Sequence, residues 1–128
     1  MMEAGAVIGP NGHVIHWHTP NDRHGGALPD SRQLWDVLWE SRNELEGFAH
    51  SHPGDGVPGP SYTDVTTFAA VEAALGRRLT WWITSSNCTS VVQWCGPDKL
   101  SYSGVQVIPE PEWVEKLREL SEIRSPQQ

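Results

Sequence analysis

The stretch PGDGVPGP at positions 53–60 puts three prolines and three glycines into eight residues. Proline fixes φ and removes a backbone donor, and glycine weakens any regular element. Neither a helix nor a central strand can run through such a segment. It is a loop, and its two flanks decide what it connects. Before it, FAHSH reads as a short strand emerging from a core. After it, Ser61 opens a helix from roughly Tyr62 to Leu75, closed by Gly76. The core face of that helix would carry Val65, Phe68, Ala69, Val71 and Leu75. Four polar residues, His50, His52, Ser61 and Asp64, therefore gather where a strand ends and a helix begins.

The rest of the chain supplies a frame for this junction. AGAVIG is a short apolar strand, followed by PNGH. Asn11-Gly12 is a hairpin signal, because both residues tolerate positive φ. HVIHWH alternates as a second strand, and TPNDRHGGALPD is a loop by its Pro, Asn, Asp and Gly content. Asp30 or Ser31 can cap a helix over SRQLWDVLWESRNELE. Leu34, Trp35, Leu38, Trp39 and Leu45 would form its apolar face, with Gly47 as the residue that ends it. LTWWITSS, TSVVQWC and LSYSGVQVI read as three further strands, the last two joined by a turn at GPDK. Pro109 and Pro111 break the sheet ahead of a final helix, EWVEKLREL. Residues 121–128 are expected to fray. The order ββαβαβββα predicts a single α/β (α+β) domain over residues 1–128, with a mixed, mostly antiparallel sheet flanked by helices.

Composition narrows the function classes. With 128 residues the chain suits one core, to which seven tryptophans contribute large areas. The net charge is −7, and the nine Lys and Arg are scattered, with only Arg77 and Arg78 adjacent. Nucleic-acid binders carry a basic patch or stripe, so nucleic acid is a poor partner, as is an anionic membrane. No apolar run approaches the roughly 18 residues of a membrane span. The N-terminus lacks the basic and apolar regions of a signal peptide, and a cytoplasmic location is the expectation. Cys88 and Cys95 fit no CxxC pattern and are expected to be free thiols.

On a strand, residues i and i+2 share a face, so His50 and His52 would project two imidazoles side by side. That suits two corners of a tetrahedral Zn²⁺ site, with Asp64 as a third ligand. The plainer alternative is a pair of hydrogen-bonded histidines, with Ser61-x-x-Asp64 serving as a capping-box variant. The two readings are compatible, since residues that cap a helix can also face a site. His16 and His18 form another i, i+2 pair, read as polar residues of an edge strand that can border a groove beside Glu3. His13 and His24 carry no signal, and Trp81-Trp82 reads as core plus one exposed ring.

In combination, HSHPGDGVPGPSYTD resembles the H-S/T-H-P…P-S-x-x-D segment of the JAMM (MPN-plus, JAB-domain) zinc metallopeptidases. The match includes both histidines, Pro53 and Pro60-Ser61. That family also places a glutamate ahead of an apolar strand and a glycine turn, which EAGAVIGPNG supplies as Glu3. TPND resembles the proline and asparagine after the family's next strand. The resemblance runs from Glu3 to Asp64 and suggests a short prokaryotic or phage-type member. His52 and Asp64 enclose eleven residues, one more than the family's usual spacing. Glu3 also stands at the third position, where the family has a preceding strand and helix.

The resemblance implies an MPN-like, cytidine-deaminase-like fold. It implies Zn²⁺ bound by His50, His52 and Asp64, with Glu3 as general base and Ser61 as oxyanion donor. The activity it implies is hydrolysis of an amide or isopeptide bond after the tail of a ubiquitin-like or sulfur-carrier protein, or in a related peptide. Alternatives of other classes are a non-hydrolytic MPN-like assembly module and a phage or cell-wall peptide hydrolase. RadC-type proteins have a related loop and a link to DNA, but the acidic charge argues against DNA here.

Overall fold

The computed structural model describes residues 2–25, 28–102 and 105–122. Strand β1 (Gly5–Ile8) and strand β2 (Val14–His18) form the hairpin, around a 3₁₀ turn at Pro10–Gly12. Asn11 and Gly12 both take positive φ, at 58° and 77°, as the Asn-Gly signal requires. Helix α1 (Arg32–Glu40), strand β3 (Gly47–Ser51) and helix α2 (Tyr62–Leu75) follow. Strands β4 (Thr80–Thr84), β5 (Thr89–Val92) and β6 (Gln106–Val107) and helix α3 (Trp113–Leu120) complete the chain.

The six strands make one mixed sheet in the order β2-β1-β3-β4-β5-β6. β3 and β4 run parallel, and the other neighbours are antiparallel. The parallel pair is the one joined through α2, as a parallel connection needs a crossover. Alternation along the strands gives the sheet two buried faces. On one, Val7, Trp81, Ile83 and Val92 pack with Leu34 and Leu38 of α1 and with Phe68, Val71 and Leu75 of α2. On the other, Ala4, Ala6, Ile8 and Ala49 pack with Trp113, Val114 and Leu117 of α3. The small residues of β1 and β3 leave room for the Trp113 indole.

Several expectations need correction. The first helix ends at Glu40 rather than running on to 46. At Ser41 the side-chain hydroxyl takes the Val37 carbonyl at 2.6 Å, and the chain turns. Leu45 still reaches the core, but from the turn. Trp39 lies 52% exposed beneath the Arg42 guanidinium, 3.9 Å from its ring centroid, and is not a core residue. Gly47 ends no helix: it starts β3, where a Cβ would meet the Thr80 carbonyl oxygen at 1.7 Å.

The strand expected over residues 100–108 is reduced to Gln106–Val107 and a single bridge between Tyr102 and Trp94. Ser103 and Gly104 lie outside the described residues. So do 123–128 of the tail expected to fray. Ser121, at the start of that tail, is fully buried and lies 2.7 Å from Ser51 Oγ, oxygen to oxygen. Neither cysteine is in a disulfide.

A candidate metal centre

The site forms at the end of β3, where it leaves the sheet. His50 pairs with Gly5 of β1 on one side and with Ile83 of β4 on the other, so its backbone is held in the middle of the sheet. His52 extends the parallel ladder by one bond, its amide donating to the Thr84 carbonyl at 2.9 Å. The two rings therefore share a face, 4.7 Å apart between centroids. Phe68 of α2 meets the His50 ring edge-on at 6.2 Å and fixes its orientation.

The loop at 53–60 then carries the chain over to α2. Gly54 and Gly56 turn it at φ 94° and 86°, a region that favours glycine. The turn between β4 and β5 anchors the loop. Asn87 Oδ1 accepts from the Gly56 amide at 2.7 Å, and Ser85 Oγ donates to the Gly56 carbonyl at 2.6 Å. Nothing in the sequence pattern singled out Ser85 and Asn87, because their partners are some thirty positions away in the chain.

At the far end, Ser61 and Asp64 form a full capping box. Ser61 Oγ accepts from the Asp64 amide, and Asp64 Oδ2 accepts from the Ser61 amide, both at 3.0 Å. The cap turns the Asp64 carboxylate toward the histidines, so the expected cap and the expected ligand are one arrangement. Asp64 Oδ2 lies 3.0 Å from His52 Nε2 and 3.4 Å from His50 Nε2. The two Nε2 atoms are 2.9 Å apart. Among the described residues, this is the only group of three His, Cys, Asp or Glu side chains placed to hold a metal ion.

The triangle tests its own occupant. Burial alone would raise the Asp64 carboxyl, but bonds with His50, His52 and the Ser61 amide outweigh it and hold the group well below the carboxylate range. Asp64 thus brings no proton. Each neutral imidazole brings at most one to Nε2, so the three close contacts cannot all be hydrogen bonds. A metal ion satisfies all three as lone-pair donors. Bond lengths of about 2.0–2.1 Å at a tetrahedral ion imply donor separations of roughly 3.3 Å. The observed edges of 2.9, 3.0 and 3.4 Å are close to that figure. These residues can hold a metal ion.

Glu3 lines the same cleft of about 560 Å³ as His50, His52, Ser61 and Asp64. It is only 7% exposed despite its position near the chain start. Its backbone is tied down: its amide donates to His24, and Arg23 Nη1 donates to its carbonyl at 3.3 Å and to the Leu120 carbonyl at 2.8 Å. Burial raises the Glu3 carboxyl, partly countered by His52 and reinforced by Asp64, with a net upward shift. Arg23 was not legible as a supporting residue, since an arginine in a polar loop has no pattern.

His18 is not a solvated edge residue. It is 3% exposed, with Nε2 2.5 Å from the Pro29 carbonyl oxygen, and it lines an adjoining pocket rather than the Glu3 cleft. Gly5 separates it from His50 across the sheet, and a Cβ on Gly5 would strike the Phe48 ring at 2.3 Å. Glu72, a buried carboxylate outside the cleft, is structural. It accepts from the Leu79 amide, Trp81 Nε1, Arg78 and the Tyr102 hydroxyl.

No protein-family model matches this chain, and no curated protein matches it. Among the described residues, no helix is long and apolar enough to cross a membrane.

Proposed function

We propose that this chain is a zinc-dependent amide hydrolase of the JAMM type on an MPN-like domain. It would cleave an isopeptide or peptide bond that follows an extended, ubiquitin-like or sulfur-carrier tail, or one in a related peptide. The observation that carries the reading is the convergence of His50 Nε2, His52 Nε2 and Asp64 Oδ2 in a cleft also lined by Glu3 and Ser61.

Two imidazoles and one carboxylate match the ligand types of catalytic zinc sites, which keep one position open. When bound, zinc supplies Lewis-acid chemistry and lowers the pKa of water towards about 7. The chain's own residues do the rest. Glu3, with its carboxyl shifted upward, takes a proton from the attacking water and delivers it to the departing amine. Ser61 Oγ already accepts from the Asp64 amide, so its own proton is available to the oxyanion of the tetrahedral intermediate. His50, His52 and Asp64 would hold the ion, and Glu3 and Ser61 line the same cleft, so base and donor would face one substrate carbonyl.

The test is hydrolysis of a panel of ubiquitin-like fusions and cell-wall peptides by zinc-loaded protein, with Glu3→Gln as control. Glu3→Gln is expected to keep zinc and lose hydrolysis. Equal hydrolysis by the variant removes Glu3 from the mechanism, and no cleavage of any substrate by the zinc-loaded wild type contradicts the reading.

A further inference from the structure

A second, smaller pocket of about 100 Å³ adjoins the metal cleft and shares three of its walls, Leu28, Phe48 and Thr67. Its depth is apolar: Leu34 and Leu38 come from α1, Val71 from α2 and Trp81 from β4. Its polar groups at His18 and Asp30 are already engaged. His18 Nε2 meets the Pro29 carbonyl, and Asp30 Oδ2 accepts from Trp35 Nε1 at 3.2 Å. Burial, the largest influence on His18, holds its imidazole pKa below the ordinary value, which favours the neutral ring on that wall. A ligand group that passes the exposed Thr67 and Asp30 at the rim meets apolar surface in the depth. An engineered apolar cavity of about 150 Å³ accepts benzene. A pocket two-thirds that size suits one branched aliphatic side chain.

We propose that this pocket receives a leucine-sized aliphatic side chain of the peptide substrate, on a residue next to the cleaved bond. The inference rests on the hydrolase reading above, and continuity with the metal cleft is what assigns the occupant. A chain lying across His50 and His52 passes the shared walls at Phe48 and Thr67, where a side chain can drop between α1 and the sheet. Glycine would leave the apolar walls uncovered, and aspartate would bring a charge into an apolar depth that the Asp30 carboxylate borders.

The test has two arms. In the first, ¹⁵N-labelled, zinc-loaded protein is titrated with N-acetyl-leucinamide, N-acetyl-glycinamide and N-acetyl-aspartamide while the Trp35 and Trp81 indole signals are followed. Both indoles are expected to shift with the leucine amide, at least about tenfold more tightly than with the other two. Thr67→Trp, an exposed substitution at the shared wall, is expected to abolish the shift and leave zinc uptake intact. Leu34→Phe, which fills the depth, is expected to weaken it. Absent shifts, equal affinity for the glycine amide, or Thr67→Trp without effect would overturn the pocket assignment. In the second arm, quenched-peptide pools fix leucine, glycine or aspartate at one position at a time. Preferred cleavage with leucine at one flanking position supports the assignment. Cleavage without that preference overturns it and leaves the hydrolase reading standing. Indole shifts with no pool cleaved overturn the hydrolase reading and the substrate role, leaving only an aliphatic-binding site.

Discussion

Ser51, the residue between the two histidines, grips Ala4, the residue after Glu3. The Ala4 amide donates to Ser51 Oγ at 3.0 Å, and the Ser51 amide donates to the Ala4 carbonyl at 3.1 Å. Ser121 Oγ backs the same hydroxyl at 2.7 Å. One strand end thus holds two metal-ligand candidates on one face and the backbone of the base candidate on the other. Ser51→Ala would leave a buried Ala4 amide without its partner, at a cost of about 1–3 kcal/mol. The expected outcome is a lower urea midpoint, faster amide exchange at Ala4 and reduced hydrolysis with unchanged zinc content. Exchange at Ala4 as slow as in the wild type would contradict the coupling.

Ser61 combines two roles that substitutions can separate. Ser61→Ala removes the cap, worth about 1 kcal/mol, and the oxyanion donor, worth roughly 3 kcal/mol in rate. Asp at this position can still cap but offers no hydroxyl proton, so Ser61→Asp should recover helix stability and remain inactive. Ser61→Thr should keep both. Thermal melts beside turnover measurements distinguish these outcomes. A fully active Ser61→Asp would leave Ser61 as a cap alone.

The acid–base behaviour of the cluster gives a signed pH dependence. Burial opposes charge on His52, but its bond and charge contact with Asp64, together with Glu3, raise its pKa above the ordinary 6.5. In the metal-free protein, protonated His52 contributes stability below pH 6.5 that is lost as pH rises through the raised value. Asp64 is depressed, so its contribution is present above its ordinary 3.8 and lost as pH falls through the lower folded value. The stability difference between metal-free wild type and His52→Gln should therefore be largest between pH 3.8 and 6.5 and shrink above that window. Zinc needs neutral His52, so the zinc-induced rise in Tm should have the opposite trend and fade on acidification. A zinc effect that grows toward pH 5 would contradict this assignment.

Glu72 should matter for folding and not for chemistry. Glu72→Ala strips partners from Leu79, Trp81, Arg78 and Tyr102 at once. The Leu79 amide and Trp81 Nε1 would be left buried without a partner, at a cost of about 1–3 kcal/mol each. Protein that remains folded at low temperature should still take up zinc. Denaturant titration and metal content measured on the same sample check both parts.

Local chemistry made much of this legible from the residues. The i, i+2 histidines, the Ser61–Asp64 cap, the left-handed Gly76 at φ 72° and the positive-φ pair Asn11-Gly12 are decided within a few positions. Gly47 was misread because its reason lies across the sheet at Thr80. Trp39 sits at the margin of the apolar arc of α1, and only packing decides which side of that margin is covered. His18 is buried through a carbonyl eleven positions later, and Ser51 acquires its role from Ala4 and Ser121. Non-local partners of this kind leave no periodicity to read.

The most direct measurement is calorimetric titration of chelator-treated, folded protein with zinc at neutral pH. The account predicts uptake of one ion per chain, lost in His52→Ala and in Asp64→Asn. Folded wild-type protein that takes up no zinc, or variants that bind it as tightly as the wild type, would contradict the metal centre on which the rest depends.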